Sequence, residues 1–177
     1  GTNISGEWGD PEFDAALAWL DDAIKSGQVA QLKGNSYTQD LETDTTLAAI
    51  AWTGDIAILN SEQGERWTLE VPESGGVITA DSFSVPNGTT PENKELVEDL
   101  INFYYEPEIA AQVADYVWFV TPVEGAREAM EKVNAEQVDN PFIFPDEDMN
   151  NRLHGFRTLT PQEDKKYTEA FSKVLGL

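Results

Sequence analysis

Prolines dictate where the helices of this chain can begin. Proline lacks an N–H and has a fixed φ, so it suits the first turn of a helix and breaks one further in. Asp10-Pro11-Glu12 therefore opens a helix with Asp10 as its cap. Phe13, Ala16, Leu17, Leu20, Ala23 and Ile24 follow on one face at helical spacing, and Gly27 closes it. Thr90-Pro91-Glu92 opens a second helix, carrying Leu96, Val97, Leu100, Ile101 and Tyr104. Pro107 ends that helix and opens another, to about Tyr116. Thr160-Pro161-Gln162-Glu163 reads as a capping box, followed by Tyr167, Phe171 and Val174 on one face and closed by Gly176.

Strand patterns lie between these helices. Leu47 to Trp52 is the longest apolar run, short enough for a fully buried strand and far short of a membrane span. Thr53-Gly54-Asp55 follows as a turn, and Ile56 to Leu59 begins a further helix. Trp67 to Val71 alternates and is stopped by Pro72. Val77 to Val85 is a longer strand-like stretch, entered through Gly75-Gly76 and ended by Pro86. Val117 to Val120 is a last short apolar piece before Thr121-Pro122. Residues 134–155 are polar and proline-containing, with one short helix expected after Pro145. Helices alternating with strands give an α/β class, a sheet flanked by helices.

Charge narrows the function. Against 33 acidic residues stand 11 basic ones, a net charge of -22. Phosphate backbones and anionic lipid need clustered Lys and Arg, so the charge argues against a nucleic-acid partner and against docking on an anionic membrane surface. Such a field draws cations, and it also serves solubility in a salty or extracellular setting. With no cysteine, the chain has no thiol nucleophile, disulfide or thiolate metal ligand.

Familiar catalytic patterns are missing. His154 is the only histidine, no Gly-x-Ser-x-Gly elbow accompanies it, and a zinc site has too few ligands. Neither a Walker loop nor a Gly-x-Gly-x-x-Gly fingerprint occurs. Asp146, Asp148 and Asn150 imitate the start of a calcium loop, but Asn151 stands where glycine is required and Arg157 where the bidentate glutamate belongs. These residues suit a solvated loop and a helix start. Carboxylate pairs are so plentiful that they point to no particular site, although a two-acid glycosidase uses such a pair. No catalytic residue, cofactor or metal is assigned.

A series of motifs, in order, does carry a resemblance. Leu47-Ala48-Ala49-Ile50-Ala51-Trp52-Thr53-Gly54-Asp55 is followed by Val71-Pro72-Glu73-Ser74-Gly75-Gly76 and by Asp81-Ser82-Phe83-Ser84-Val85-Pro86. Then come Leu100-Ile101-Asn102-Phe103-Tyr104-Tyr105-Glu106-Pro107-Glu108, Ala110-Ala111-Gln112-Val113, Thr121-Pro122-Val123, Asn140-Pro141 and Ile143-Phe144-Pro145-Asp146. The series resembles the C-terminal half of bacterial spermidine/putrescine-binding proteins, from about Ser5 onward. The resemblance implies a periplasmic-binding-protein-like (type II) architecture of two α/β lobes that close on a solute by a hinge. Residues 1–75 then belong to the second lobe, 76–120 to a crossover and a returning segment of the first, and 121–177 to C-terminal helices packing back on the second. It further implies a cationic solute, ABC permease subunits as partners, and an extracytoplasmic location, periplasmic or as an anchored lipoprotein. Gly1 to Gly6 carries no leader pattern, so a leader would lie upstream. A missing first lobe, or a second copy, is expected to cover the sheet edges and apolar surface this leaves.

Polyamine recognition needs carboxylates for the ammonium groups and aromatic faces for the methylenes. Trp52 ends an expected strand just before a helix, where open α/β sheets place ligands, and it matches a ligand-stacking tryptophan of the family. The competing reading is a half-buried packing residue. Asp81 matches a family aspartate that pairs with a ligand amine, or else is a strand-end surface acid. Thr79 stands where the family commonly has an aromatic, and Phe119 where it has a ligand-bonding tyrosine. Trp118 beside it is a compensating candidate, and core packing is the alternative for both. Trp8, Trp19, Trp67 and the Tyr104-Tyr105 pair read as packing or surface residues. Receptors for an anion, sugar, metal or amino acid, an acid-pair glycosidase and a self-associating interaction module are the competing functions.

Overall fold

A computed structural model describes residues 3–176. Its elements run α1 (Asp10–Lys25), α2 (Tyr37–Glu42), α3 (Thr53–Gln63), β1 (Gly76–Val77), α4 (Pro91–Tyr104), α5 (Pro107–Val117), α6 (Ala126–Val133), a 3-10 turn (Ala135–Gln137), α7 (Glu147–Arg152), β2 (Leu153–His154) and α8 (Pro161–Leu175). They form two compact units. One comprises Gly1–Ala49, Pro72–Thr79 and Leu153–Leu177; the other comprises Ile50–Val71 and Ala80–Arg152.

The proline-headed helices appear where local chemistry put them. In α8, Thr160 Oγ1 accepts from the Glu163 N–H while the Glu163 carboxylate accepts from the Thr160 N–H, and Gly176 ends the helix in the left-handed conformation at φ 76°. At the head of α4 the Thr90 side chain accepts from the Asn93 N–H. In α1 the cap is Gly9, one residue before Asp10, because the Glu12 carboxylate reaches back to the Gly9 N–H. Asp146 Oδ1 accepts from the Met149 N–H at 2.8 Å, so the calcium-loop imitation is indeed a helix start. Helices α2 and α6 lie in segments whose sequence offers no proline-headed signal.

The sheet departs from expectation. Among the described residues the only ladder is the short parallel pair β1 and β2, with Gly76 opposite Leu153 and Val77 opposite His154. The strands expected at Leu47–Trp52, Trp67–Val71 and Val117–Val120 do not form, and that expected from Val77 to Val85 is reduced to its first residue. Leu47 and Ile50, read as buried, are 96% and 102% exposed. An apolar run sets only half of a strand; the other half is a neighbour that supplies ladder hydrogen bonds. Thr53-Gly54-Asp55 is not a separate turn but the first turn of α3.

In the first unit, α1 and α8 pack together around Tyr167, which is buried. Its ring stacks on Phe13 at 4.1 Å and on Trp8 at 5.7 Å, and its hydroxyl donates to Asp10 Oδ1 at 3.0 Å. Trp8 is thus a packing residue. The second unit is built on α5 and α6, with a core of Ala111, Ala114, Ala129, Met130 and Ile143. Alanines on α5 let α6 approach closely, and Met130 and Ile143 fill the space between them.

Candidate solute site

Trp52 is the N-cap of α3, with extended backbone (φ -79°, ψ 140°) and an indole 46% exposed. It sits there because Gly54 and Ile56, buried in the first turn of α3, anchor that end of the helix. What they anchor against is the C-terminal end of α5. The Thr53 hydroxyl donates to the Trp118 carbonyl at 3.0 Å. A Cβ placed on Gly54 would meet the Val117 carbonyl oxygen at 2.4 Å and the Phe119 ring at 2.9 Å. Trp118, between them, has the left-handed conformation at φ 53°, which ends α5 and turns the chain.

The structure thus brings together the backbone of two expected site segments, Trp52 and Phe119, and leaves both side chains partly in solvent, Phe119 at 42%. Trp118 goes the other way: it is half-buried and packs on the alanine-methionine core. Asp81 is exposed in the irregular stretch 80–86 of the same unit. Thr79 is exposed and belongs to the other unit. Two residues after Asp81, Phe83 meets Tyr104 edge-on at 5.2 Å and 76°, with the Phe83 ring 56% exposed. Tyr104 and Phe83 therefore form a surface aromatic pair, with Phe83 two residues from a carboxylate.

Thr53 and Gly54 are the residues that sequence reasoning passed over. Their signal was present: a glycine in the opening turn of a helix costs stability, so its presence asks for a close neighbour. No group of acidic or histidine side chains among the described residues could hold a metal ion.

The family model described as bacterial extracellular solute-binding protein matches residues 1–140. The chain belongs to the bacterial extracellular solute-binding protein family. Among its relatives is the putrescine-binding periplasmic protein PotF of Escherichia coli, 26% identical over 145 residues, covering 79% of this chain and 38% of PotF. The spermidine/putrescine-binding periplasmic protein of Escherichia coli is 30% identical over 143 residues, covering 80% of this chain and 39% of that protein. SpuD, a putrescine-binding periplasmic protein of Pseudomonas aeruginosa, is 26% identical over 151 residues, covering 82% and 40%. This solute-binding family member spans about two fifths of the length of the curated relatives it matches. None of its described helices is long and apolar enough to cross a membrane.

Proposed function

We propose that this chain is part of the extracytoplasmic solute-binding component of an ABC importer, and that it takes a cationic solute, a polyamine such as putrescine or spermidine, in a cleft between two lobes. The observation that carries this reading is the exposed indole of Trp52 at the head of α3, the helix whose first turn packs against the partly exposed ring of Phe119. Aromatic faces suit a ligand whose middle is methylene and whose ends are ammonium. Asp81 supplies the carboxylate, and the net charge of -22 raises the local concentration of any polycation.

A helix N-terminus ordinarily prefers an anion. At α3 that preference is weakened. The carbonyl oxygens of Val117 and Trp118 lie against its first turn, and Asp55 adds a carboxylate there. This supports a cation over an anion beside Trp52. The lobe reading of residues 1–75, 76–120 and 121–177, the permease partners and the extracytoplasmic location belong to the same proposal, supported by the periplasmic relatives. In this reading the chain is a receptor and performs no reaction.

Calorimetric titration of the full-length protein with putrescine and with spermidine tests the proposal. Saturable heat with one or both, lost or much reduced in Trp52→Ala and in Asp81→Asn, is expected. Heats equal to a buffer blank for both amines would overturn it.

A further inference from the structure

We propose that Thr53 and Gly54 form a positioning joint that fixes the register of Trp52 against Phe119, and so sets the geometry of the aromatic face that meets the solute; this rests on the receptor reading above. Three independent features of the joint point the same way. Gly54 is buried, and the space its side chain would occupy is filled by the Val117 carbonyl oxygen at 2.4 Å and by Phe119 Cε2 and Cζ at 2.9 Å. Atoms do not approach a real Cβ that closely, and one neighbour is backbone, so only glycine permits this contact. Thr53, one residue earlier, donates its hydroxyl to Trp118 O at 3.0 Å, a bond between segments 65 residues apart. Trp118 itself adopts φ 53°, an unfavourable conformation for a large L-residue, held by packing of its indole on the core.

Together these contacts give the joint two pins and no slack. One pin is the hydroxyl bond; the other is the bare α-carbon of Gly54 against the turn at Trp118. Trp52 lies immediately before the first pin and Phe119 immediately after the Trp118 carbonyl that receives it. The two contacts fix the backbone beneath both aromatics. Holding binding groups in place before the ligand arrives raises affinity by removing the ordering cost at binding.

The test uses the full-length protein labelled with fluorinated tryptophan, with fluorine resonances assigned through Trp52→Phe and Trp118→Phe. Thr53→Val removes the hydroxyl bond at nearly constant shape, and Thr53→Ser keeps it. Gly54→Ala forces the close contact open. Tyr167→Phe removes the hydroxyl bond to Asp10 in the core of the first unit, whereas the joint belongs to the second. Thr53→Val is expected to weaken putrescine or spermidine binding by about tenfold, the scale of one lost hydrogen bond and its ordering. It is expected to shift the Trp52 resonance as well. Thr53→Ser should stay near the parent in both readouts. Gly54→Ala should lose at least as much as Thr53→Val; if it does not fold, Thr53→Val decides. Tyr167→Phe should lower the melting temperature with affinity unchanged. The proposal is overturned if Thr53→Val keeps parent affinity and an unmoved Trp52 resonance, or if Tyr167→Phe weakens binding as much as Thr53→Val does. If the parent protein binds neither amine, the receptor reading fails by itself. The joint is then judged on resonances alone: movement in Thr53→Val but not in Thr53→Ser upholds it, and no movement in either overturns it.

Discussion

The guanidinium carbon of Arg157 lies 4.2 Å from the centre of the Trp8 ring, while its Nη2 donates both to Glu163 Oε1 at 2.8 Å and to the Trp8 carbonyl at 3.0 Å. One planar cation therefore ties the segment before α1 to the first turn of α8. The Arg157 N–H adds a bond to the Ile4 carbonyl at 3.1 Å, and the Trp8 indole N–H donates to the same carbonyl. Beyond Trp8 the stack continues through Tyr167 to Phe13.

Lysine cannot reproduce this arrangement, because an ammonium has no plane to stack and no fork to share between a carboxylate and a carbonyl. Arg157→Lys is expected to lower the melting temperature and to speed amide exchange in residues 4–8, while leaving the second unit's core amides unchanged. Parent-like exchange at residues 4–8 would show that the arginine is dispensable there.

Glu163 gives the same knot a pH dependence. Hydrogen bonds from Arg157, from the Thr160 N–H and from the Thr160 hydroxyl hold its carboxyl down at about 2. In the unfolded chain it would titrate at the ordinary value of about 4.3. Between those values the unfolded state binds the extra proton, so acid favours unfolding. The contribution of Glu163 is complete above the ordinary value and is lost as pH falls toward 2. The melting-temperature difference between the parent and Glu163→Gln should therefore be constant at neutral pH and shrink on acidification through that window. Asp10, lowered by Lys166 and Tyr167, and Glu12, lowered by the Gly9 N–H, keep some acid sensitivity in the variant. A difference that grows on acidification would contradict the assignment.

These two cases show where sequence was readable. The capping box of α8 was legible because Thr160 and Glu163 are three residues apart and their bond is local. Arg157 was legible only as a residue that spoils a calcium loop, because its partner Trp8 lies 149 residues away. Trp52 was found at the head of a helix, but its supporting contact was not, since nothing at Thr53 or Gly54 names Val117 or Phe119. The strand runs were misread for a related reason. The composition of residues 47–52 reports what those residues would bury if paired, and pairing is a property of the neighbour.

Met130 is the most informative probe of the second unit. It is fully buried between α5 and α6, against Ala111, Ala114 and Ile143. Met130→Ala should cost about 2–5 kcal/mol, the usual range for truncating a buried long side chain where neighbours cannot collapse. Denaturant titration followed by near-ultraviolet dichroism would measure it. A loss under about 1 kcal/mol would mean that the alanine faces of α5 and α6 close over the gap.

A net charge of -22 makes a kinetic prediction separable from affinity. Association of a polycation should be accelerated by the protein's field and slowed as salt shortens the screening length to about 10 Å at 0.1 M. Stopped-flow measurements at rising ionic strength should show a falling on-rate and a much flatter off-rate, because aromatic stacking at short range is weakly screened. An on-rate independent of salt would mean that the charge serves solubility alone.

The motif resemblance implies a tyrosine in the family at the position of Phe119, and the close approach to Gly54 argues that the ring here resists that change. A tyrosine hydroxyl attaches at Cζ, the atom already 2.9 Å from the position of a Cβ on Gly54. The added oxygen must push against the opening turn of α3 or swing the ring further into solvent, from its present 42% exposure. Overpacking of a tight contact typically costs about 1–3 kcal/mol, and partial exposure lets the ring relieve some of it. Phe119→Tyr is therefore expected to destabilise the second unit by about 1 kcal/mol and to quench the fluorescence of the neighbouring indoles differently from the parent. Equal or greater stability would mean that the hydroxyl finds a hydrogen-bond partner at the head of α3 without displacing the ring, and that the contact with Gly54 is looser than its geometry implies.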